Sequence, residues 1–271
     1  DYKEAAEGDV WGACWDSAWF ELEGTVPEEW KGARVVAQLD FNGEGLVFSD
    51  DGVPLQSLTN GSVFKKGFSR DVFPLFESAQ GGESVTLLVE AAANGLFGAG
   101  HDPDPPRNEP VRGGTYQGKV NRMRLCVFDT ELWHLWLDMD VLNGLMKGQE
   151  ERSVRRARVL KKLNEVIDAF QDDAANAAKC RKMLEPVYDM PAEPSALTAV
   201  AVGHAHLDTG WLWPVRESIR KSARTFSSQI ALIEKYPEFV FGASQPQHYA
   251  FVKEHYPALY AKIKKAVADG R

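Results

Sequence analysis

Cysteine is scarce in this chain. Cys14, Cys126 and Cys180 are far apart, odd in number and form no CxxC pair. That excludes a disulfide framework and a thiolate metal site, and it suits a reducing compartment. Long apolar runs are also missing, so no segment reads as a membrane span, and no stretch reads as a signal peptide. The expected location is cytoplasmic. An excess of positive charge is absent as well: 31 Lys and Arg stand against 39 Asp and Glu, for a net charge of -8. Nucleic acid and anionic membrane are therefore poor candidates as partners, because phosphate binding needs clustered cations. The one locally basic run, residues 152–162, spreads its charges around a helix and reads as a solvated face.

What is present is the composition of an ordinary globular protein, 44% apolar and 26% charged, with 271 residues and room for more than one domain. Residues 1–130 read as an all-β sandwich. Phe20, Leu22 and Val26 alternate with polar neighbours, as do Val35, Ala37, Leu39 and Phe41, which is the period of half-buried strands. Residues 27–32 form the turn between them. Asp50-Asp51-Gly52 is a hairpin signal between two apolar runs. Val85, Leu87 and Val89 make another strand, and residues 119–128 the last, with Leu125 and Val127 facing inward. Residues 94–114 are rich in Gly and Pro and read as a long irregular loop. The aromatics Trp11, Trp15, Trp19, Phe20, Trp30 and Phe41 admit two readings: packing within the sandwich, or a surface that stacks on sugar rings.

The period changes to that of helices over residues 131–195, where Val159, Leu163, Val166 and Phe170 recur three or four apart. Two or three helices are expected, closed by a Pro-containing linker at 190–195. From residue 196 to 271 the pattern is strand–helix–strand–helix. Residues 197–203 read as a buried strand. Val215, Ile219, Ala223, Phe226, Ile230 and Ile233 line a helix ended by Pro237, and residues 239–243 are a second strand. Tyr249, Val252, Leu259 and Ile263 form the inner face of a helical region broken by Pro257. Such alternation predicts parallel strands with a helical crossover, and ligands beyond the strands' carboxyl ends. Two parallel strands cannot close a barrel or bury both faces of a sheet, so the expected α/β domain is incomplete within these residues.

The first of those strands ends in GHAHLDTGW, residues 203–211. In extended backbone, His204, His206 and Asp208 share one face. Imidazole and carboxylate there suit Zn²⁺ or a similar divalent ion. The same residues also suit a strand-to-helix turn held by hydrogen bonds, and spacing does not separate the two. Trp213 reads as core, Arg216 and Glu217 as ion-pairing residues, and Gln245 as a residue beyond the second strand. His101, His134, His248 and His255 sit at no ligand spacing.

The nine-residue motif resembles the first active-site motif of the α-mannosidases of glycoside hydrolase family 38. LWPVRE at 212–217 and SQ at 244–245 resemble its cytosolic and bacterial branch. So do WF at 19–20, VPEEWKG at 26–32, GLV at 45–47 and EAAANGLFG at 90–98, which are similar to the galactose-binding-like β domain preceding that branch's catalytic domain. The resemblance implies a β-sandwich over 1–130, a helical linker over 131–195, and the first two strand–helix units of a catalytic α/β barrel over 196–271. It implies Zn²⁺ held by His206 and Asp208, with His204 supporting them by hydrogen bonding and Trp211 packing on the mannose ring. The ion would bind sugar hydroxyls rather than activate water. The implied partner is a mannose-containing oligosaccharide, and the implied full-length protein a homo-oligomer.

Two other functions fit parts of the chain. Amidohydrolase-type barrels also carry His-x-His at the end of a first strand, and the front domain alone would serve as a carbohydrate-binding module. The family's retaining reaction uses a carboxylate nucleophile and an acid/base about 5 Å apart. No acid in 209–271 fits either role, and both are expected after Arg271. The 271-residue chain is therefore expected to leave an aryl α-mannoside unhydrolysed; release of the chromophore by purified chain would overturn this.

Overall fold

The computed structural model describes residues 2–61, 68–94, 116–192, 194–211 and 213–271. All of the expected 94–114 loop except Asn94 lies outside the described residues. The chain divides into two compact units: Asp1–Val127 with Val200–Arg271, and Phe128–Ala199.

Alternating apolar residues build the first unit's strands in chain order: β1 (Val10–Ala13), β2 (Ser17–Thr25), β3 (Val35–Asp40), β4 (Glu44–Phe48), β5 (Pro54–Thr59), β6 (Val72–Phe76), β7 (Ser84–Ala92), β8 (Gln117–Lys119) and β9 (Arg122–Val127). A four-stranded antiparallel sheet, β2-β7-β4-β5, faces a three-stranded one, β6-β3-β9, and β1 pairs with β8. Between them lies a core of Phe20, Val35, Leu39, Phe41, Val47 and Val89. Phe20 stacks on Phe41 at 4.4 Å, with Trp11 edge-on to Phe20 at 5.7 Å. The expected turn at 27–32 is a 3-10 turn at Glu28–Trp30, and the 50–52 hairpin joins β4 to β5. The sequence pattern passes over β1, β6 and β8. β6 contains Pro74, tolerated because β6 is an edge strand. Val127, expected to face inward, is exposed at the end of β9.

The second unit holds three helices, α1 (Thr130–Gly148), α2 (Val154–Phe170) and α3 (Ala177–Tyr188). Asp129 and Ser153 cap the first two by accepting the Leu132 and Arg156 amides. Leu135, Leu142, Val159, Leu163, Val166 and Leu184 meet in one core. Arg181 of α3 binds Glu131 and Asp138 of α1.

The rest of the first unit runs β10 (Gly203–His204), α4 (Val215–Lys235), β11 (Phe241–Gly242), α5 (Pro246–His255) and α6 (Pro257–Ala268). β10 and β11 are parallel, as the strand–helix–strand pattern requires. Both are much shorter than expected. Leu197 is 96% exposed and Val200 87%, so the predicted buried strand over 197–203 survives only at its end. A parallel strand needs partners along its edges and cover on both faces. Among the described residues β10 has one partner, β11, for two residues.

Helix α4 is buried on more than the apolar stripe its sequence shows. Ala223, Phe226 and Ile230 pack with Leu46 and Phe48 of β4 and with Val252, Leu259 and Ile263 of α5 and α6. Val215, expected on that stripe, is exposed. β4 is buried on both faces because Val47 points into the sandwich while Leu46 and Phe48 point to α4. Beside this apolar contact lies a buried charge cluster. Lys221 Nζ reaches Glu44 Oε1 at 2.7 Å, and Arg224 Nη1 donates to Glu44 Oε2 at 2.8 Å and to Glu217 Oε2 at 3.2 Å. Arg220 meets Glu90 Oε1 at 2.7 Å and Glu217 Oε1 at 2.8 Å. Asn94 donates its side-chain amide to Glu44 at 3.2 Å and accepts the Glu44 amide at 3.1 Å. Three carboxylates thus balance three cations, all largely shielded from water except Arg220, which is partly exposed.

Burial opposes ionisation of Glu44, but Lys221 and Arg224 outweigh it and hold its carboxyl below the usual range. Burial likewise lowers the Arg224 pKa, and Glu44, Glu217 and Glu90 more than restore it. A carboxyl with a depressed folded pKa contributes stability that is complete above its unfolded value and is lost as pH falls through the folded one. Glu44→Gln strands Lys221 and Arg224 with too little negative charge. We predict that it lowers unfolding stability by about 3–5 kcal/mol in urea titrations and flattens the acid limb of the stability–pH curve.

Candidate functional site

The GHAHLDTGW segment leaves β10 and turns toward α4. Gly203 is required where it enters: a Cβ there would stand 2.7 Å from the Phe239 ring. Gly210 is required where it turns, with φ +72. Ser218, fully buried in the first turn of α4, holds the turn. Its Oγ accepts the Gly210 amide at 2.8 Å and the Trp213 indole N–H at 3.0 Å. The same indole N–H lies 3.2 Å from the Asp208 carbonyl. Trp213 is buried, as read from the sequence, with Lys221 Nζ 4.6 Å from its ring centroid.

Of the three polar residues expected on one face, the structure brings two together. His206 Nε2 lies 3.3 Å from Asp208 Oδ1, and both side chains are exposed to solvent. His204 turns elsewhere: its Nδ1 donates to the Gly242 carbonyl at 3.0 Å and so ties β10 to β11. Trp211 is 54% exposed and sits edge-on to Trp213 at 5.5 Å. Glu217, expected to form ion pairs, does so with Arg220 and Arg224. Leu212 and His101 lie outside the described residues.

Sequence reasoning missed how α5 approaches the motif. Thr209 Oγ1 lies 3.0 Å from His248 Nε2 and 3.4 Å from Gln245 Oε1. His248 is buried, and burial holds its pKa below the usual histidine value, so its neutral form is favoured. Gln245 was legible from its place after the second strand. His248 had no signal beyond its position in the first turn after Pro246.

A nitrogen and an oxygen donor side by side at an open strand end can supply two ligands to a borderline divalent cation. Among the described residues no third His, Cys, Asp or Glu joins them. Trp211 adds an exposed aromatic ring later in the same segment.

Comparison with known proteins agrees in two places. The family description "Alpha-mannosidase, jelly roll domain" matches residues 1–123, and "Glycosyl hydrolases family 38 N-terminal domain" matches residues 196–271. Alpha-mannosidase 2C1 of Homo sapiens is 34% identical over 281 residues, covering 100% of this chain and 25% of that protein. Alpha-mannosidase G of Dictyostelium discoideum is 30% identical over 273 residues, covering 100% of this chain and 24% of that protein. An alpha-mannosidase of Saccharomyces cerevisiae is 26% identical over 281 residues, covering 97% and 24%. The chain spans about a quarter of the length of these relatives.

The geometry makes Ser218 the support of the turn. Ser218→Ala removes the acceptor of two buried donors, and we expect a loss of about 1–3 kcal/mol in stability. The near-UV circular dichroism of the chain, to which Trp213 contributes, should change in the same variant; an unchanged spectrum and midpoint would remove Ser218 from this role.

Proposed function

We propose, starting from a chain that belongs with the family 38 α-mannosidases over residues 1–123 and 196–271, that the end of β10 is part of the mannose-binding metal site of a zinc-dependent, retaining α-mannosidase. The observation that carries this is the His206–Asp208 pair, 3.3 Å apart and open to solvent. It lies in the segment that the glycosyl hydrolase domain matches. His206 and Asp208 would hold the ion as two of its ligands, and the nitrogen–oxygen donor set suits zinc. When bound, the ion would supply positive charge to sugar hydroxyls.

The chain's own residues do the positioning. Trp211 offers an aromatic face to the apolar side of a sugar ring, in the manner of aromatic platforms. Trp213 supports it from the edge, and the Gly210 turn sets its direction. His204 positions the strand end through its bond to Gly242. Thr209 links the motif to α5 through His248 and Gln245. A retaining reaction needs two carboxyl groups about 5 Å apart, and we assign neither to the described residues. The chain by itself would therefore bind zinc weakly and not turn over substrate, and terminal α-mannosides of oligosaccharides are the substrates proposed for the longer enzyme. A reducing, cytoplasmic location belongs to the same reading, since Cys14, Cys126 and Cys180 are all free thiols. The amidohydrolase alternative has no observation in its favour beyond the His-x-His spacing.

Calorimetric titration of the chain with Zn²⁺ tests the site. Weak binding is expected, lost in His206→Ala and in Asp208→Ala with the far-UV spectrum unchanged. Neither side chain is buried, so both variants should fold. Equal binding by the variants would remove these residues from the metal site.

A further inference from the structure

A cavity of about 370 Å³ lies between β4 and β5 on one side and α4 with the 205–207 segment on the other. Among the described residues its lining includes Arg70, Lys221 and Arg224 as cations, with the His206 imidazole, against one carboxylate, Glu44. Glu44 is already engaged by Lys221 and Arg224. The six-residue cluster of Glu44, Glu90, Glu217, Arg220, Lys221 and Arg224 is neutral as a whole, so Arg70 is the surplus charge. Among the described residues its guanidinium has no hydrogen-bond acceptor, because the Arg70 bonds are backbone bonds to Thr59. The neighbouring Asp71 is committed to Arg122 at 3.0 Å and Gln38 at 3.1 Å. Arg224 is also under-used: its Nε and Nη2 are buried and lack a hydrogen-bond partner among the described residues, although Nη2 stands 3.9 Å from Glu90 Oε1.

A half-buried guanidinium stays charged and is costly without a counter-charge. Burial pushes its pKa below the usual arginine value. Leu58, Leu207 and Trp213 give the rest of the cavity an apolar wall. That wall suits the body of a small organic molecule, and the cations suit an oxyanion on it.

We infer that this cavity is an oxyanion site of the phosphate type, with Arg70 as its principal ligand-binding residue. The inference goes beyond the mannoside reading and does not require the metal. Its test therefore runs with a chelator present, so that failure of the zinc site leaves it untouched.

The purified chain is titrated with inorganic phosphate, mannose 6-phosphate and mannose, following intrinsic tryptophan fluorescence and heat. Phosphate is expected to bind. Arg70→Gln should weaken it about tenfold or more, the loss of one charge-assisted contact, whereas Arg152→Gln on the basic face of the second unit should leave it unchanged. Tighter binding of mannose 6-phosphate would assign the anion to a sugar-borne group, and equal binding would assign it to free phosphate. If Arg70→Gln fails to fold, the wild-type chain decides: phosphate should raise its unfolding midpoint more than chloride at matched ionic strength. No such rise, equal binding by a folded Arg70→Gln variant, or equal binding of mannose and mannose 6-phosphate would overturn the site.

Discussion

Helix α4 can lie across the four-stranded sheet because its buried cations and carboxylate complement the carboxylates of β4 and β7. Glu44 and Glu90 point out of the sandwich on the face that α4 covers, and Lys221, Arg220 and Arg224 descend onto them. Each of these groups would be prohibitive to bury singly. Together with Glu217 they balance, and the hydroxyl pair Ser57 and Ser228, 2.7 Å apart, continues the polar seam. The apolar half of the same contact, Leu46 and Phe48 against Ala223 and Phe226, supplies the driving force from surface removed from water. The charges supply register: a helix shifted by one residue would bury them unpaired.

The candidate site inherits its geometry from that docking. Ser218 lies between Glu217 and Lys221 on α4, so placing the charges also places the hydroxyl that receives Gly210 and Trp213. The turn so formed leaves His206, Asp208 and Trp211 on the open side and Trp213 on the closed side. The β-sandwich and the motif segment are therefore one compact unit, although the helical residues 128–199 lie between them in sequence.

Much of the fold was legible because its causes are local. The period of two announced β2, β3, β7 and β9, Asp51-Gly52 announced a hairpin, and the spacing of three and four announced α2 and α4. Pro237 and Pro257 marked helix ends. The failures share a cause. Val127, Val215, Leu197, Val200 and Val202 are apolar by sequence and exposed in the fold, while Lys221 and Arg224 are charged by sequence and buried in it; Glu217, also buried, keeps the ion-pairing role read from its sequence. Residue type reports a preference, and partners decide whether it is met. β6 was missed for the opposite reason, since Pro74 forbids a central strand but not an edge one.

Sequence alone determined that His206 and Asp208 would share a face beyond a strand end, because alternation in extended backbone is local geometry. It also carried the motif through which the family is recognised. Only the tertiary structure separated His204 from that pair, by offering it the Gly242 carbonyl on a strand 38 residues away. Only the tertiary structure brought His248 to Thr209, placed α4's charges on Glu44 and Glu90, and left Arg70 lining a cavity where Glu44 is already paired with Lys221 and Arg224. Such contacts join residues distant in the chain, and their free energy depends on burial and on the pairing of charges. Neither quantity exists until the sheet and the helix have met.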